Sequence, residues 1–180
     1  RLQYEADTVK QETALAELQE MLMLPRAPSR IECYDISTTQ GTAIVASRVV
    51  FVQGVAAKKE YRRFNIRSVD HDGSDDYQSM REALTRRFAR YIELKDQPPV
   101  HLPGKEDRDE TWRLLPDLLL IDGGKGQLNV AAEVLAAFDL TDKVPVASLA
   151  KQFEEIYVPG KSDPIRSEER RVGKECRSRW

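Results

Sequence analysis

Cysteine and histidine are scarce, two of each in 180 residues. Cys33 and Cys176 lie far apart, which suggests neither a disulfide framework nor a cysteine zinc site. His71 and His101 are too few and too scattered for a histidine-rich metal centre. No stretch approaches the roughly 18 unbroken apolar residues of a membrane helix. The opening RLQYEADTVK has no apolar core of a secretory signal, so a reducing, cytoplasmic home is the default expectation. A dominant charge is also missing: the formal net charge is −2, which argues against a generally basic, histone-like DNA binder. What is present is 41% hydrophobic and 32% charged residues, enough to bury the core of about one ordinary domain.

The net charge hides a shift in composition. Residues 166–180, RSEERRVGKECRSRW, carry six Lys/Arg against three acids, with Val172 as their only aliphatic side chain. They show no helical or strand period. The segment reads either as a solvated basic tail or as read-through of a cloning adapter. We set it aside from the fold and expect residues 166–180 to be disordered or non-native. On that reading the natural protein continues past Ile165.

Residues 1–24 read as one helix, with Leu15, Leu18 and Leu22 on one stripe and Pro25 and Pro28 ending it. From residue 30 the period changes. RIECYDIS alternates, with Ile31 and Cys33 on one face. Thr42 to Phe51 is rich in β-branched residues, and Lys58 to Ile66 follows a turn at Gly54. These predict three antiparallel strands. A polar loop over 67–75 precedes a helix with Met80, Leu84, Phe88 and Tyr91 at helical spacing and Arg81, Arg86, Arg87 and Arg90 on its other faces. Residues 95–113 hold three prolines and no period, and read as a loop. Leu118 to Ile121 is a continuous apolar run, as in a strand buried on both faces. It ends in Asp122, Gly123 and Gly124. A helix with Leu128, Ala132 and Leu135 on one stripe follows, then a second buried strand over Val144 to Ala150. The order predicts an α/β fold: a mixed sheet, antiparallel then parallel, with helices on its faces.

Three acidic features could carry chemistry. Asp35 lies in an apolar strand, on the face of Ile31 and Cys33, where burying a carboxylate is costly unless it is paired or metal-bound; it could instead cap a turn. Asp122 ends a buried strand of parallel type, at the sheet edge where ligands bind in open α/β sheets; it could instead cap the next helix. Asp75 and Asp76 precede a helix and suit its positive end. Two strand-borne aspartates suggest a site for Mg²⁺ or Mn²⁺, whose remaining ligands would be water and substrate phosphate. Lys58, Lys59, Arg62, Arg63 and Arg67 fall within ten residues against Glu60 alone. With the helical arginines they would suit a polyanion such as DNA, or simply form a solvated charged face. The GGKG turn with Lys125 could cradle a phosphate, but it lacks the full P-loop spacing.

These blocks carry a resemblance. RIECYDIS, TTQGT, EYRRFNI, SDDYQSMREALTRRF, PDLLLIDGGKGQL and LAKQFEEIYVPG resemble the UvrC family of the bacterial UvrABC excinuclease, in order and register from about Arg30 to Gly160. The resemblance implies a ribonuclease H-like endonuclease domain over 30–165, C-terminally incomplete, after a helical linker over 1–29. It implies incision 5′ to a lesion in damaged double-stranded DNA during nucleotide excision repair, with UvrB as partner and UvrA indirectly. Residue by residue, it makes Asp35 and Asp122 catalytic and metal-binding, with Asp76 a weaker catalytic candidate. The DNA contacts expected beside them are Lys58, Lys59, Arg62, Arg63, Arg86, Arg87 and Lys125. The family's further catalytic histidine, in a D-E-x-H-type helix, has no counterpart here, since His71 and His101 sit in other contexts. The chain alone is therefore expected not to incise DNA. The alternative is a catalytically silent nucleic-acid-binding module of the same fold.

Overall fold

Strand β1, Arg30–Thr39, has two unlike faces because side chains alternate along it: Ile31, Cys33 and Asp35 on one, Glu32, Tyr34 and Ile36 on the other. The computed structural model describes residues 2–39, 43–68, 75–98, 110–150 and 155–166. Along the chain, helix α1 is Leu2–Leu22, β2 is Ala43–Val52, β3 is Val55–Ala56 and β4 is Arg62–Asn65. Helix α2, Asp76–Leu94, precedes β5, Leu118–Asp122, and α3, Lys125–Ala137. Strands β6, Val146–Ala150, β7, Glu155–Tyr157, and β8, Ile165–Arg166, complete the sheet.

The sheet order is β3-β2-β1-β5-β6-β7-β8, with β4 also pairing β2. Strand β1 is antiparallel to β2 and parallel to β5; β5 is parallel to β6; β7 and β8 return antiparallel. The expected mixed α/β sheet is therefore present. Three local expectations differ. The third strand does not run from Lys58, because Lys58–Glu60 closes into a 3₁₀ turn and only Arg62–Asn65 pairs with β2. The loop over 95–113 ends in a 3₁₀ turn at Glu110–Arg113, and Arg113 donates to the carbonyls of Leu94, Gln97 and Pro98. Strands β7 and β8 are short additions that the sequence pattern does not announce. Among the described residues no helix is long and apolar enough to cross a membrane. His71, His101, Cys176 and residues 167–180 lie outside the described residues; of the segment 166–180 expected to be disordered, Arg166 instead pairs, in β8, with Glu155 of β7.

Helices α2 and α3 cover one face. Met80, Ala83, Leu84 and Phe88 of α2 and Leu128, Ala131, Val134 and Leu135 of α3 pack on Tyr34, Ala46, Phe64, Leu119 and Ile121. Helix α1 covers part of the other face: Leu15, Leu18 and Leu22 lie against the cluster of Ile31, Leu118 and Ala147, which Phe51 and Leu120 extend. The helix read as a linker thus lies on the sheet.

The α2 face also buries charge. Glu32 is fully buried and takes a forked pair of hydrogen bonds from Arg87, Nε to Oε2 at 3.0 Å and Nη2 to Oε1 at 2.9 Å. Arg30 and Arg48 approach the same carboxylate at 3.4 and 3.8 Å, and the Tyr34 hydroxyl donates to it at 3.3 Å. Arg87 also donates to the carbonyls of Trp112 and Leu114, and Arg48 stacks over the Trp112 ring at 4.3 Å. Burial by itself pushes the Glu32 carboxyl up. The charge and hydrogen bonds of Arg87, with the charges of Arg48 and Arg30, outweigh it and hold the group below its ordinary range. Burial, then the Glu32 charge, push the Tyr34 hydroxyl above the ordinary phenol range.

Candidate active site

The register decides which acids meet. The last paired residues of β1 and β5 are Tyr34 and Ile121, so the next residues, Asp35 and Asp122, stand side by side where the parallel pairing stops: Asp122 ends β5, while β1 runs on to Thr39 against β2. Such strands lie about 4.8 Å apart. Both aspartates follow the face of Ile31, Cys33, Leu118 and Leu120, opposite the buried ionic cluster. Asp35 is exposed and Asp122 half-buried. The sequence argument that Asp35 would be a buried carboxylate is therefore corrected: β1 does bury an acid, but it is Glu32. A signal existed, since Glu32 interrupts the same apolar strand as Asp35 does.

The same cross-sheet row continues away from β5. Asp35 is opposite Ser47 of β2, and Ser47 is opposite Arg63 of β4. Directly opposed residues share a face, so Arg63, Ser47, Asp35 and Asp122 form one polar row. Toward the amino end of β1, the row of Phe51, Ile31 and Leu118 is apolar and covered by α1. Arg63 is exposed and Ser47 half-buried.

Behind Asp122 the chain turns without a side-chain cap. The N-cap of α3 is Gly124, so Asp122 is not its cap residue. At Gly123 the Gln127 side chain folds back over the turn, its Oε1 lying 1.3 Å from where a Cβ would stand, so any larger residue there would displace that amide. Gly126 likewise admits the Tyr77 ring, whose nearest atoms would be 2.6 Å from an added Cβ. That contact joins the first turns of α2 and α3. At α2 the capping role falls to Asp75, whose carboxylate accepts from the Gln78 N–H at 3.0 Å. Asp76 is the first helical residue and exposed. Among the described residues no third His, Cys, Asp or Glu forms a metal-holding group with Asp35 and Asp122. The structure thus brings Asp35 and Asp122 together and does not bring Asp76 to them.

The expected DNA contacts divide. Lys58, Lys59, Arg63, Arg86 and Lys125 are exposed. Arg86 rests over the Phe64 ring and donates to Asn65 and Glu82. Arg62 is half-buried and bonded to the carbonyls of Lys59 and Tyr61. Arg87 is corrected: it is fully buried and committed to Glu32, so no nucleic acid reaches it. It belongs to the Met80, Ala83, Arg87 stripe of α2 that faces the sheet. A cleft of about 410 Å³ lies at the opposite, amino edge of β5 and β6, lined by Leu22, Leu24, Leu118, Leu135, Val144 and Val158; none of the candidate site residues lines it.

The donor set suits a hard divalent cation. Two carboxylates side by side repel when both are ionised, and a cation between them removes that cost. Two protein ligands leave room for the waters and phosphate oxygens that Mg²⁺ retains.

A family model described as the UvrC RNAse H endonuclease domain matches residues 19–174. UvrABC system protein C of Carboxydothermus hydrogenoformans is 48% identical over 154 residues, covering 86% of this chain and 24% of that protein. The protein of the same name from Acaryochloris marina is 45% identical over 164 residues, covering 89% and 24%. The chain spans about a quarter of the length of the curated relatives it matches. Among solved structures, an endonuclease V from Ciona intestinalis, in complex with a 24mer DNA containing an inosine followed by a ribo-adenosine, superposes with a TM-score of 0.41. It is 12% identical, with 99% of this chain and 69% of that one covered.

Proposed function

The chain belongs to the UvrC RNase H endonuclease domain family, and from that premise we propose that Asp35 and Asp122 form the metal-holding centre of the nuclease that cuts 5′ to a DNA lesion. The observation that carries the proposal is the register of β1 and β5, which sets these two acids next to each other at one open sheet edge. They would hold Mg²⁺ or Mn²⁺, and such an ion, when bound, supplies Lewis acidity to the phosphodiester. The protein's own part is to fix the two carboxylates on rigid strands and to offer cations to the DNA backbone. Lys58, Lys59 and Lys125 are the exposed cations for that purpose, and Arg86 joins them at the β4–α2 side. Asp76 serves the start of α2 in this reading. The substrate would be damaged double-stranded DNA, presented with UvrB and, through it, UvrA, in the cytoplasm.

A chimera tests this reading. Residues 30–165 replace the matching segment of the Carboxydothermus hydrogenoformans protein, and 5′ incision is assayed on a lesion-bearing duplex with UvrA and UvrB. The chimera is expected to cut 5′ to the lesion, and Asp35→Ala or Asp122→Ala within it to lose that cut. Undiminished 5′ incision by both variants would contradict the assignment.

A further inference from the structure

The polar row does not end at the two acids. Two strands away from Asp35, on the same face and at the same register, stands Arg63, with Ser47 between them. We propose that Arg63 and Ser47 form a phosphate-holding flank of the Asp35–Asp122 centre and position the strand to be cut. The inference rests on the functional reading above and adds residues to it that the acid pair does not require.

The argument is one of reach and of chemistry. Opposed residues on one sheet face have Cβ atoms about 4.5–5.5 Å apart, so Arg63 lies roughly 10 Å from Asp35 across two strand spacings. The long Arg63 side chain spans much of that gap, so a phosphate lying between the two residues would touch both. A phosphodiester has the matching pattern of oxygens. One non-bridging oxygen would lie on the side of the two acids, while the other would accept from the guanidinium fork and from the Ser47 hydroxyl. Arginine suits that place because its planar donors match phosphate in two points at once.

Arg63 also differs from its neighbours in the same basic stretch. Arg62 points to the α2 face, and its guanidinium is bonded to the carbonyls of Lys59 and Tyr61. Lys58 and Lys59 sit in the 3₁₀ turn before β4 and belong to no sheet row. Arg86 is held by Glu82 and by the Asn65 carbonyl. Of the predicted contacts, Arg63 alone is fixed by strand pairing in line with both acids.

The test separates this role from general attraction to DNA. Binding of a fluorescent duplex to the 180-residue chain is measured by anisotropy over a range of salt, with and without Mn²⁺; Mn²⁺ affinity is measured separately without DNA. For the unaltered chain, Mn²⁺ and DNA are expected to tighten each other's binding, and Asp35→Asn to abolish that mutual effect. Arg63→Gln is expected to weaken DNA binding about tenfold, to lower the salt slope by about one, and to lose most of the mutual tightening. It should leave Mn²⁺ affinity of the free protein within about twofold, because a phosphate contact is absent there. Arg63→Lys should restore the salt slope without the full coupling, and Ser47→Ala should give a smaller loss of the same kind. Unfolding temperatures of the variants identify any that fail to fold. Wild-type affinity, slope and coupling in Arg63→Gln would overturn the proposal. So would a lower slope with coupling intact, since Arg63 would then hold a phosphate away from the metal. If the unaltered chain binds neither Mn²⁺ nor DNA, the functional reading falls and this inference with it.

Discussion

Glu32 and Asp35 stand three residues apart on one strand and live under opposite conditions. Glu32 is fully buried among Arg30, Arg48 and Arg87, and shares Arg30 with the half-buried Glu60. Asp35 is exposed, and its cross-strand neighbour on β5 is another carboxylate. The first arrangement favours the folded state and leaves no room for a ligand. The second sets an exposed carboxylate beside another, and a cation between the two would remove their mutual repulsion. The difference teaches which acid is structural: the one already surrounded by its counter-charges.

That comparison breaks most readily through stability. Glu32→Ala leaves Arg48 and Arg87 without their carboxylate while Arg30 keeps Glu60, and removing one partner of a buried ion pair costs about 3–5 kcal/mol. Urea unfolding should show a loss of that order, while Asp35→Ala should stay within about 0.5 kcal/mol of the unaltered chain. Equal losses in the two variants would erase the distinction. Arg87→Leu should resemble Glu32→Ala, because it also orphans the carbonyls of Trp112 and Leu114.

Acid sharpens the same contrast. Since Glu32 is held below its ordinary range in the fold, its contribution is complete above the unfolded carboxylate pKa of about 4.3. It is lost as the pH falls through the lower, folded value. The unaltered chain should therefore lose stability on acidification below about pH 4.3. In Glu32→Gln that portion of the slope should be missing, and in Asp35→Asn it should remain. Urea titrations at stepped pH check this.

The smallest effect concerns DNA. Affinity for duplex should fall steeply with salt, and Lys59→Gln should reduce the log–log slope by about one with stability within about 0.5 kcal/mol. A substitution at Arg87 that leaves the protein folded should leave the slope alone. A lower slope in such an Arg87 variant, with Lys59→Gln unchanged, would reverse the division between buried and exposed arginines.

Much of the site was legible because strands write their faces into the sequence. Period-two alternation put Asp35 with Ile31 and Cys33, and the apolar run of β5 placed Asp122 at its carboxyl end. What alternation does not show is which strand lies beside which. The meeting of Asp35 and Asp122 needs the parallel pairing of β1 with β5, which lie 87 residues apart in the chain and come together only through the fold. Arg87 is hard to read for a simpler reason: the arginines around it are exposed or half-buried, and a charged residue on the Met80 and Ala83 stripe does not look like part of the core. Its partner Glu32 is 55 residues away, so no local pattern announces the pair. The 3₁₀ turn at Lys58–Glu60 escaped because strand propensity alone does not reveal that Ala57 donates back to the Val50 carbonyl and bends the chain.

The most direct measurement is Mn²⁺ titration of the folded chain, followed by electron paramagnetic resonance of the free ion, beside Asp35→Asn, Asp122→Asn and Asp76→Asn. The account predicts saturable binding in the unaltered chain and in Asp76→Asn, and its loss in both other variants with no change in unfolding temperature beyond a few degrees. Saturable binding that survives in both Asp35→Asn and Asp122→Asn would contradict the shared site, as would a chain that binds no Mn²⁺ at all.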